Sequence, residues 1–537
     1  MNIKLKNISL SVLITILLFS CHDIEVPVTT QLTPDIFPKN LTQYVQASGP
    51  PYAALRGNYA LDYFFMQTFT TDEAILPARG GNWYDNRGYL DMHYHTFTKD
   101  HGATNSLWNW LSIVIGTSNQ AMSILNQNIP DNTTTKAQTL AELKMVRALA
   151  YFMMMDSFGN VPIYSEYGDF APKANSTRAE VFTFIETEVK AAIPNLSADV
   201  TQATYGKATK WAAHALLAKM YLNAEIYTGT AKTKECIEAC DAVINSGKFA
   251  IEPRASYLQM FYPNNGPSMK EFIFAIPYDP TAGSMPGTNG NMYHARYDVP
   301  RSLRTKYGLP FTPSAPQSTL PEFYAHFNDK NDIRNGQWLT GLQFLNDGVT
   351  PVTVTTTKKG YDQFYTGADG SAKFTYQVEL TPEIKLRQDV ATFDLGNDEI
   401  AWNMGYRNVK FFPDATSLNR NQNNDKPFFR YSDIILMKAE AILRSGVSKQ
   451  TAVDLVNQVR SKRTTSDALT DITLEELYQE RSREFAWESW HRNDMIRFGK
   501  YEGKWGFKTD ATITKRIFPI PQGALTLNPA LKQNPGY

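Results

Sequence analysis

The stretch Thr71-Asp72-Glu73-Ala74-Ile75-Leu76-Pro77-Ala78-Arg79-Gly80-Gly81-Asn82-Trp83-Tyr84-Asp85-Asn86-Arg87-Gly88-Tyr89 concentrates side chains suited to holding a hydroxyl-rich ligand. Gly80-Gly81 and Gly88 bracket a loop that presents Trp83 and Tyr84 beside Asp85 and Arg79. A sugar ring offers its apolar C–H face to a flat aromatic and its vicinal hydroxyls to Asp, Asn or Arg. Hydrogen bonds to a carboxylate or guanidinium are the stronger kind. They also discriminate, because a missing hydroxyl leaves them unpaired. Asp72, Arg79, Trp83, Tyr84 and Asp85 are the first candidate glycan contacts. The competing reading makes Trp83 a staple that pins the loop to the body of the protein. A second aromatic set, Tyr293, His294, Tyr297 and Trp338, is chosen by composition and position, and its Tyr293, Tyr297 and Trp338 join the candidates.

Catalytic patterns are weaker. Glycoside hydrolysis needs two carboxylates ~5–10 Å apart, and among 53 acidic residues some pair satisfies any spacing. No Gly-x-Ser-x-Gly elbow, His-Glu-x-x-His helix or phosphate-cradling Gly-rich loop occurs. His93-x-His95 with His101 lacks the acid or Cys spacing that would complete a metal site. Asp329-Lys330-Asn331-Asp332 begins like a calcium loop, but Ile333 stands where a ligand belongs, so it reads as a turn. No catalytic residue, cofactor or metal is expected.

These residues need a scaffold, and the chain supplies helices. Periodicity predicts them over 43–69, 107–127, 139–158, 178–193, 207–224, 232–246, 431–445, 451–462 and 474–498. Alanines at Ala148, Ala150, Ala208, Ala212, Ala213, Ala215, Ala439 and Ala441 mark close helix contacts, and Ser246-Gly247 and Ser445-Gly446 mark turns. The pattern reads as stacked helix–turn–helix repeats of tetratricopeptide type, with a plain bundle as the alternative. Within 474–498, Glu480, Glu484 and Glu488 recur every four residues and share a helical face, with Arg492 at the same spacing and Arg497 beyond Asp494. Phe485, Trp490 and Phe498 add bulk that an exposed helix does not need, which favours a buried ion-pair ladder.

Between about 253 and 426 the character changes to Gly-, Pro- and Asn-rich punctuation such as Gly283-Ser284-Met285-Pro286-Gly287, with a strand or hairpin arm expected at Val352-Thr353-Val354-Thr355-Thr356-Thr357. Its aromatics, Tyr293, Tyr297, Trp338, Phe364, Tyr365 and Trp402, argue that it folds back onto the helices.

The 537 residues carry 53 basic and 53 acidic side chains, which disfavours a nucleic-acid partner needing a basic face. Aromatics reach 12%, with 28 Tyr, a type suited to part-wet, part-apolar ligand faces. Lys4 and Lys6 precede the apolar run Leu10 to Leu18, which is too short to span a bilayer and reads as a signal segment. Leu18-Phe19-Ser20-Cys21 resembles a bacterial lipobox with Cys21 as the acylated residue. Residues 1–20 are therefore expected to leave as a leader and 21–39 to form an extended tether, the membrane being met through lipid alone. Cys236 and Cys240, four apart on a helix, read as small buried packing residues.

Four segments together resemble the SusD/RagB family of surface lipoproteins. They are the Glu480–Phe498 stretch; Arg430-Tyr431-Ser432-Asp433 running to Leu436-Met437-Lys438-Ala439-Glu440-Ala441; Ala141-Glu142 with Arg147-Ala148, Tyr151-Phe152 and Phe158-Gly159-Asn160-Val161-Pro162; and Gly206-Lys207-Ala208 running through Ala215 to Asn223. The resemblance implies a mainly α fold, a SusD-like α/α superhelix of tetratricopeptide-like repeats (about 40–250 and 427–500) packed against an irregular half, as one composite domain over 40–537. It implies a non-catalytic glycan binder, lipid-anchored on the outer face of the outer membrane, that delivers oligosaccharide to a SusC-like TonB-dependent transporter. Family members often place a Trp and polar ligand contacts after an Asp-Glu pair, as at Asp72-Glu73. A lipid-anchored glycosidase and a tetratricopeptide protein-binding scaffold are the rival expectations.

Overall fold

The computed structural model describes residues 37–38, 40–128, 134–278, 292–360, 363–364, 374–387, 391–417 and 420–537. The leader, Cys21, all but the end of the tether, the Gly283–Gly287 punctuation and Tyr365 lie outside the described residues.

The helical layer begins with α1 (Leu41–Ala47) and α2 (Gly49–Asn58). It continues through α3 (Gly102–Asn128), α4 (Thr134–Phe158), α5 (Arg178–Ala192), α6 (Lys210–Leu222) and α7 (Thr233–Ile244). Its starts are written locally. Thr177 and Glu180 form a reciprocal capping box on α5, and Thr209 caps α6. α5 buries Val181, Phe182, Ile185, Val189 and Ala192, one stripe of a 3.6-residue period. α6 is buried on nearly every side, and Ala212, Ala213, Ala215 and Ala218 let its neighbours approach closely.

Each helix packs on the next from α3 to α7, and α7 then packs on α10 (Tyr431–Ser445), almost two hundred residues downstream. The stack therefore continues across the irregular half as though uninterrupted. α11 (Lys449–Arg460) packs on α10, and α12 (Leu474–Phe485) and α13 (His491–Arg497) complete the helical layer. Gly446, at φ 69°, ends α10 in the left-handed conformation that residues with a Cβ avoid.

Two predicted helices are each two. Residues 43–69 break at Ser48, ahead of Gly49-Pro50-Pro51, and pass through a π-turn at Tyr59–Tyr63. Residues 474–498 break after Phe485, where Trp487 (φ 64°) and Ser489 (φ 67°) turn the chain. Glu480 and Glu484 thus share a helical face, while Glu488 reaches the same cluster from the turn. Glu73 and Lys410 hold this turn: the Trp487 N–H donates to Glu73 Oε1 at 2.7 Å, and Lys410 Nζ donates to the Glu484 and Ala486 carbonyls.

The ladder is buried and larger than the spacing suggested. Arg430 donates to Glu271 (2.5 Å), Glu484 (2.9 Å) and Glu488 (2.7 and 2.8 Å); Arg463 to Glu271 and Glu484; Arg334 to Asp332, Glu480 and Glu484. All these side chains are sealed from water. Burial alone would raise the Glu480 carboxyl, but Arg334, Arg483 and Arg460 outweigh it and bring it to about 2. Glu484 is held well below its ordinary range by Arg463, Arg430 and Arg334, again against burial. Arg492, expected beside Glu488, instead faces Asp156 at 3.4 Å.

The irregular half leaves and rejoins the helices through an antiparallel ribbon, Phe272–Ile276 against Lys426–Arg430, buried throughout. The predicted arm is a strand, Thr353–Thr356, paired antiparallel with Phe374–Gln377. One hydrophobic core spans both halves: Tyr257, Phe261, Phe274 and Phe411 share it with helix residues such as Met145, Leu216 and Ile434. Cys236 and Cys240 are buried free thiols. Among the described residues no helix is long and apolar enough to cross a membrane.

Candidate functional site

The 78–89 loop is anchored from behind. Ala78 N–H donates to the Phe393 carbonyl and Leu395 N–H to the Ala78 carbonyl, both at 2.9 Å. The Asp394 carboxylate accepts the Gly80 and Gly81 N–H groups, each at 2.8 Å. Gly80 is required here: at φ +63° a Cβ would stand 2.2 Å from Asn397 Cβ. Beyond it Trp83 (φ 66°), Asp85 (43°), Asn86 (55°) and Arg87 (71°) all sit in the left-handed region. Each such residue costs ~1–3 kcal/mol and persists where its surroundings impose it, a condition concentrated at functional sites.

This loop forms part of an open cleft of about 500 Å³, to which Asn82, Trp83 and Asp85 contribute. Trp83 is half-buried, with its ring 5.4 Å from that of Tyr297. Tyr297 lies on α8 (His294–Asp298) beside Arg296, and adjacent helical positions diverge by ~100°. Tyr297 accordingly packs inward against Phe65, while Arg296 lines the cleft with its guanidinium 5.4 Å over Trp83. The cleft's other tryptophan, Trp402, is carried by α9 (Glu399–Asn403), which Asp398 caps through the Ala401 N–H. Trp402 Nε1 donates to Asn397 Oδ1 at 3.0 Å, and Arg301 lies 4.4 Å over its ring. Arg301 and Trp402 also line an adjoining depression of about 320 Å³ that includes Arg304 and Glu399. Two half-exposed indoles, each with a guanidinium across it and amides nearby, form a surface for rings that carry polar substituents.

The structure separates the predicted contacts. Trp83 and Asp85 line the cleft. Tyr84 is exposed, next to Arg87 and outside the cleft lining. Tyr293 is half-buried against the main core, and Tyr297 is a buried support for Trp83. Three assignments are corrected. Arg79 is fully buried, donating to the Ala401 carbonyl at 2.6 Å and twice to Pro316, so it fastens the loop's base to α9; burial, then Arg407, pulls its pKa well down. Asp72 is buried 2.6 Å from His491 Nε2, which it holds ionised more readily than burial alone would allow. Trp338 is core, edge-on to Phe327 and Trp487. Arg296, Arg301, Asn397 and Trp402 were missed. Trp402 carried a signal as an aromatic in the loop-rich half; the two arginines carried none.

His95 Nε2 lies 2.9 Å from the Thr70 carbonyl and His101 Nε2 3.0 Å from that of Gly88, so both rings are engaged with backbone. The Asp329 turn is closed by Thr464, Ser466 and the Asn331 N–H. A larger concavity, about 670 Å³, lies between α3 and the 162–172 and 524–531 segments. Several of its polar groups are taken up within the fold: Asn119 bonds Tyr164 and Arg147, Asn528 bonds the Lys173 carbonyl, and Asp169 pairs with Lys173. It suits apolar contact, and the tryptophan cleft suits a hydroxylated ligand better.

A family model described as "SusD family" matches residues 215–537, and one described as "Starch-binding associating with outer membrane" matches 40–222. The chain belongs to the SusD family. It is 25% identical over 508 residues to the starch-binding protein SusD of Bacteroides thetaiotaomicron, covering 88% of this chain and 86% of that one. A SusD-like protein of Bacteroides ovatus is 23% identical over 510 residues, covering 86% and 83%. Among solved structures, a laminarin-binding SusD-like protein superposes with a TM-score of 0.70 at 21% identity, over 93% of this chain and all of that one. Surface glycan-binding protein A from B. thetaiotaomicron, in complex with laminarihexaose, gives 0.68 at 19%, over 92% and 99%. The SusD fold, mainly helical with tetratricopeptide-like repeats, is thereby established for this chain.

Proposed function

We propose that this protein is a non-catalytic glycan-binding lipoprotein, tethered through Cys21 to the outer face of the outer membrane, that delivers oligosaccharide to a SusC-like TonB-dependent transporter. The observation that carries the binding role is the open cleft holding Trp83 and Trp402, with Asn82, Asn397 and two arginines around them. Flat apolar faces and neighbouring donors are what carbohydrate recognition requires. The relatives' names, starch-binding and glycan-binding, support the same reading. Binding without cleavage is favoured by the lining: among the described residues Asp85 is the one carboxylate of this cleft, with Glu399 in the adjoining depression, while hydrolysis takes a matched pair across one bond. The membrane location is supported by the family description and the lipobox-like Cys21. The transporter partnership rests on the family resemblance.

The test is calorimetric titration of the detergent-purified full chain against a polysaccharide panel, with reducing ends assayed in parallel. Saturable binding without new reducing ends, weakened at least tenfold by Trp83→Ala with a melting shift of a few degrees at most, is expected. New reducing ends would make the protein a glycosidase. Binding that survives Trp83→Ala would move the site elsewhere.

A further inference from the structure

We propose that the cleft selects glycans bearing an anionic group on the ring, a carboxylate or a sulfate, and that Arg301 and Arg296 receive it; this rests on the glycan-binding reading of the same cleft. The arginines that neighbour the cleft are occupied. Arg304, next along, donates to the Leu309 and Pro310 carbonyls and to Thr312, and Arg407 donates to the Trp402 and Met404 carbonyls. Arg301 and Arg296 differ: among the described residues neither guanidinium donates a hydrogen bond or joins an ion pair, and each lies over an indole. Stacking on an aromatic leaves the edge N–H groups of a guanidinium free, and that planar fork matches a carboxylate or sulfate better than it matches a lone hydroxyl.

The local charge agrees. Arg296, Arg301 and Arg304 stand against Asp85 and Glu399 across the cleft and its adjoining depression. Asp394, at the loop's base, lies outside both linings and accepts the Gly80, Gly81 and Gly396 N–H groups. The chain as a whole has zero formal charge, so this excess is a property of the place. A neutral glycan would use the two indoles and leave both forks hydrated, whereas a charged one would use all four side chains.

The experiment titrates the full chain with polygalacturonate and with its carboxyl-reduced neutral polymer, and with a sulfated galactan and its desulfated form, at low and moderate salt. At least one charged probe is expected to bind tenfold or more tightly than its neutral counterpart, which also tells carboxylate from sulfate. That preference should shrink with salt, as screening dictates, and vanish in the Arg296→Gln/Arg301→Gln double variant. Equal affinity for charged and neutral members, or a preference that survives the double variant, would overturn the proposal while leaving a neutral-glycan binder. Binding unaffected by Trp402→Ala, or no binding of any probe, would remove the underlying reading as well.

Discussion

Arginine behaves in opposite ways in two regions of this molecule. In the network beneath the last helices, Arg334, Arg430 and Arg463 are sealed from water, and every guanidinium meets carboxylates from several chain segments. In the cleft, Arg296 is half-exposed, Arg301 is exposed, and both lie on tryptophans without an acceptor among the described residues. The difference follows from solvation. A buried charge must be compensated inside the fold, because the interior offers nothing else. An exposed one can remain hydrated until a ligand displaces the water. The first arrangement defines a structure, and the second leaves capacity unspent.

Removing Glu484 attacks the first region hardest, since it strands Arg334, Arg430 and Arg463 together. Glu484→Gln should cost about 3–5 kcal/mol, read as a shift in urea unfolding; a loss under about 1 kcal/mol would mean the network is not the compensated unit described. Acid should erode the same region more gently. Glu480 titrates at about 2 and Glu484 is held well below its ordinary range by Arg463, Arg430 and Arg334, so in the fold both stay ionised where the open chain would already bind protons. Their contribution is complete above that ordinary range and drains as the pH falls toward 2. A urea midpoint that stays flat from about pH 5 to about pH 3 would contradict this. In the cleft, Gly80→Ala should cost ~1–3 kcal/mol by strain at φ +63° and contact with Asn397. Glycan affinity should fall with it because the Trp83 loop loses its seat. Unchanged affinity in that variant would detach the loop from binding.

How far the sequence disclosed this arrangement depends on whether the signal was local. The apolar pattern that stops at Gly446 marks α10 at its observed limits, 431–445. The break at Ser48 has its signal in Pro50 and Pro51, which lack the N–H groups that would continue α1 and fit the first turn of α2. The break at Trp487 was not announced, because a tryptophan and a serine take the left-handed positions that glycine usually marks. In the site, Trp83 was legible from the flanking glycines. Arg79 and Asp72 misled because charge beside aromatics reads as ligand contact, yet the fold spends them on Pro316, Ala401 and His491. Arg301 and Trp402 lie a hundred residues apart and meet only in the folded chain.

The sharpest test sets an exposed ring against a buried one: titration of the glycan found by the panel into Trp402→Ala and Trp338→Ala, with melting curves for both. Trp402→Ala should lose at least tenfold in affinity, about 1.4 kcal/mol, and melt close to wild type. Trp338→Ala should keep its affinity and lose ~3–5 kcal/mol of stability. Were Trp402→Ala to bind as wild type does, or were the two variants to exchange these behaviours, the cleft would not be where this protein holds its ligand.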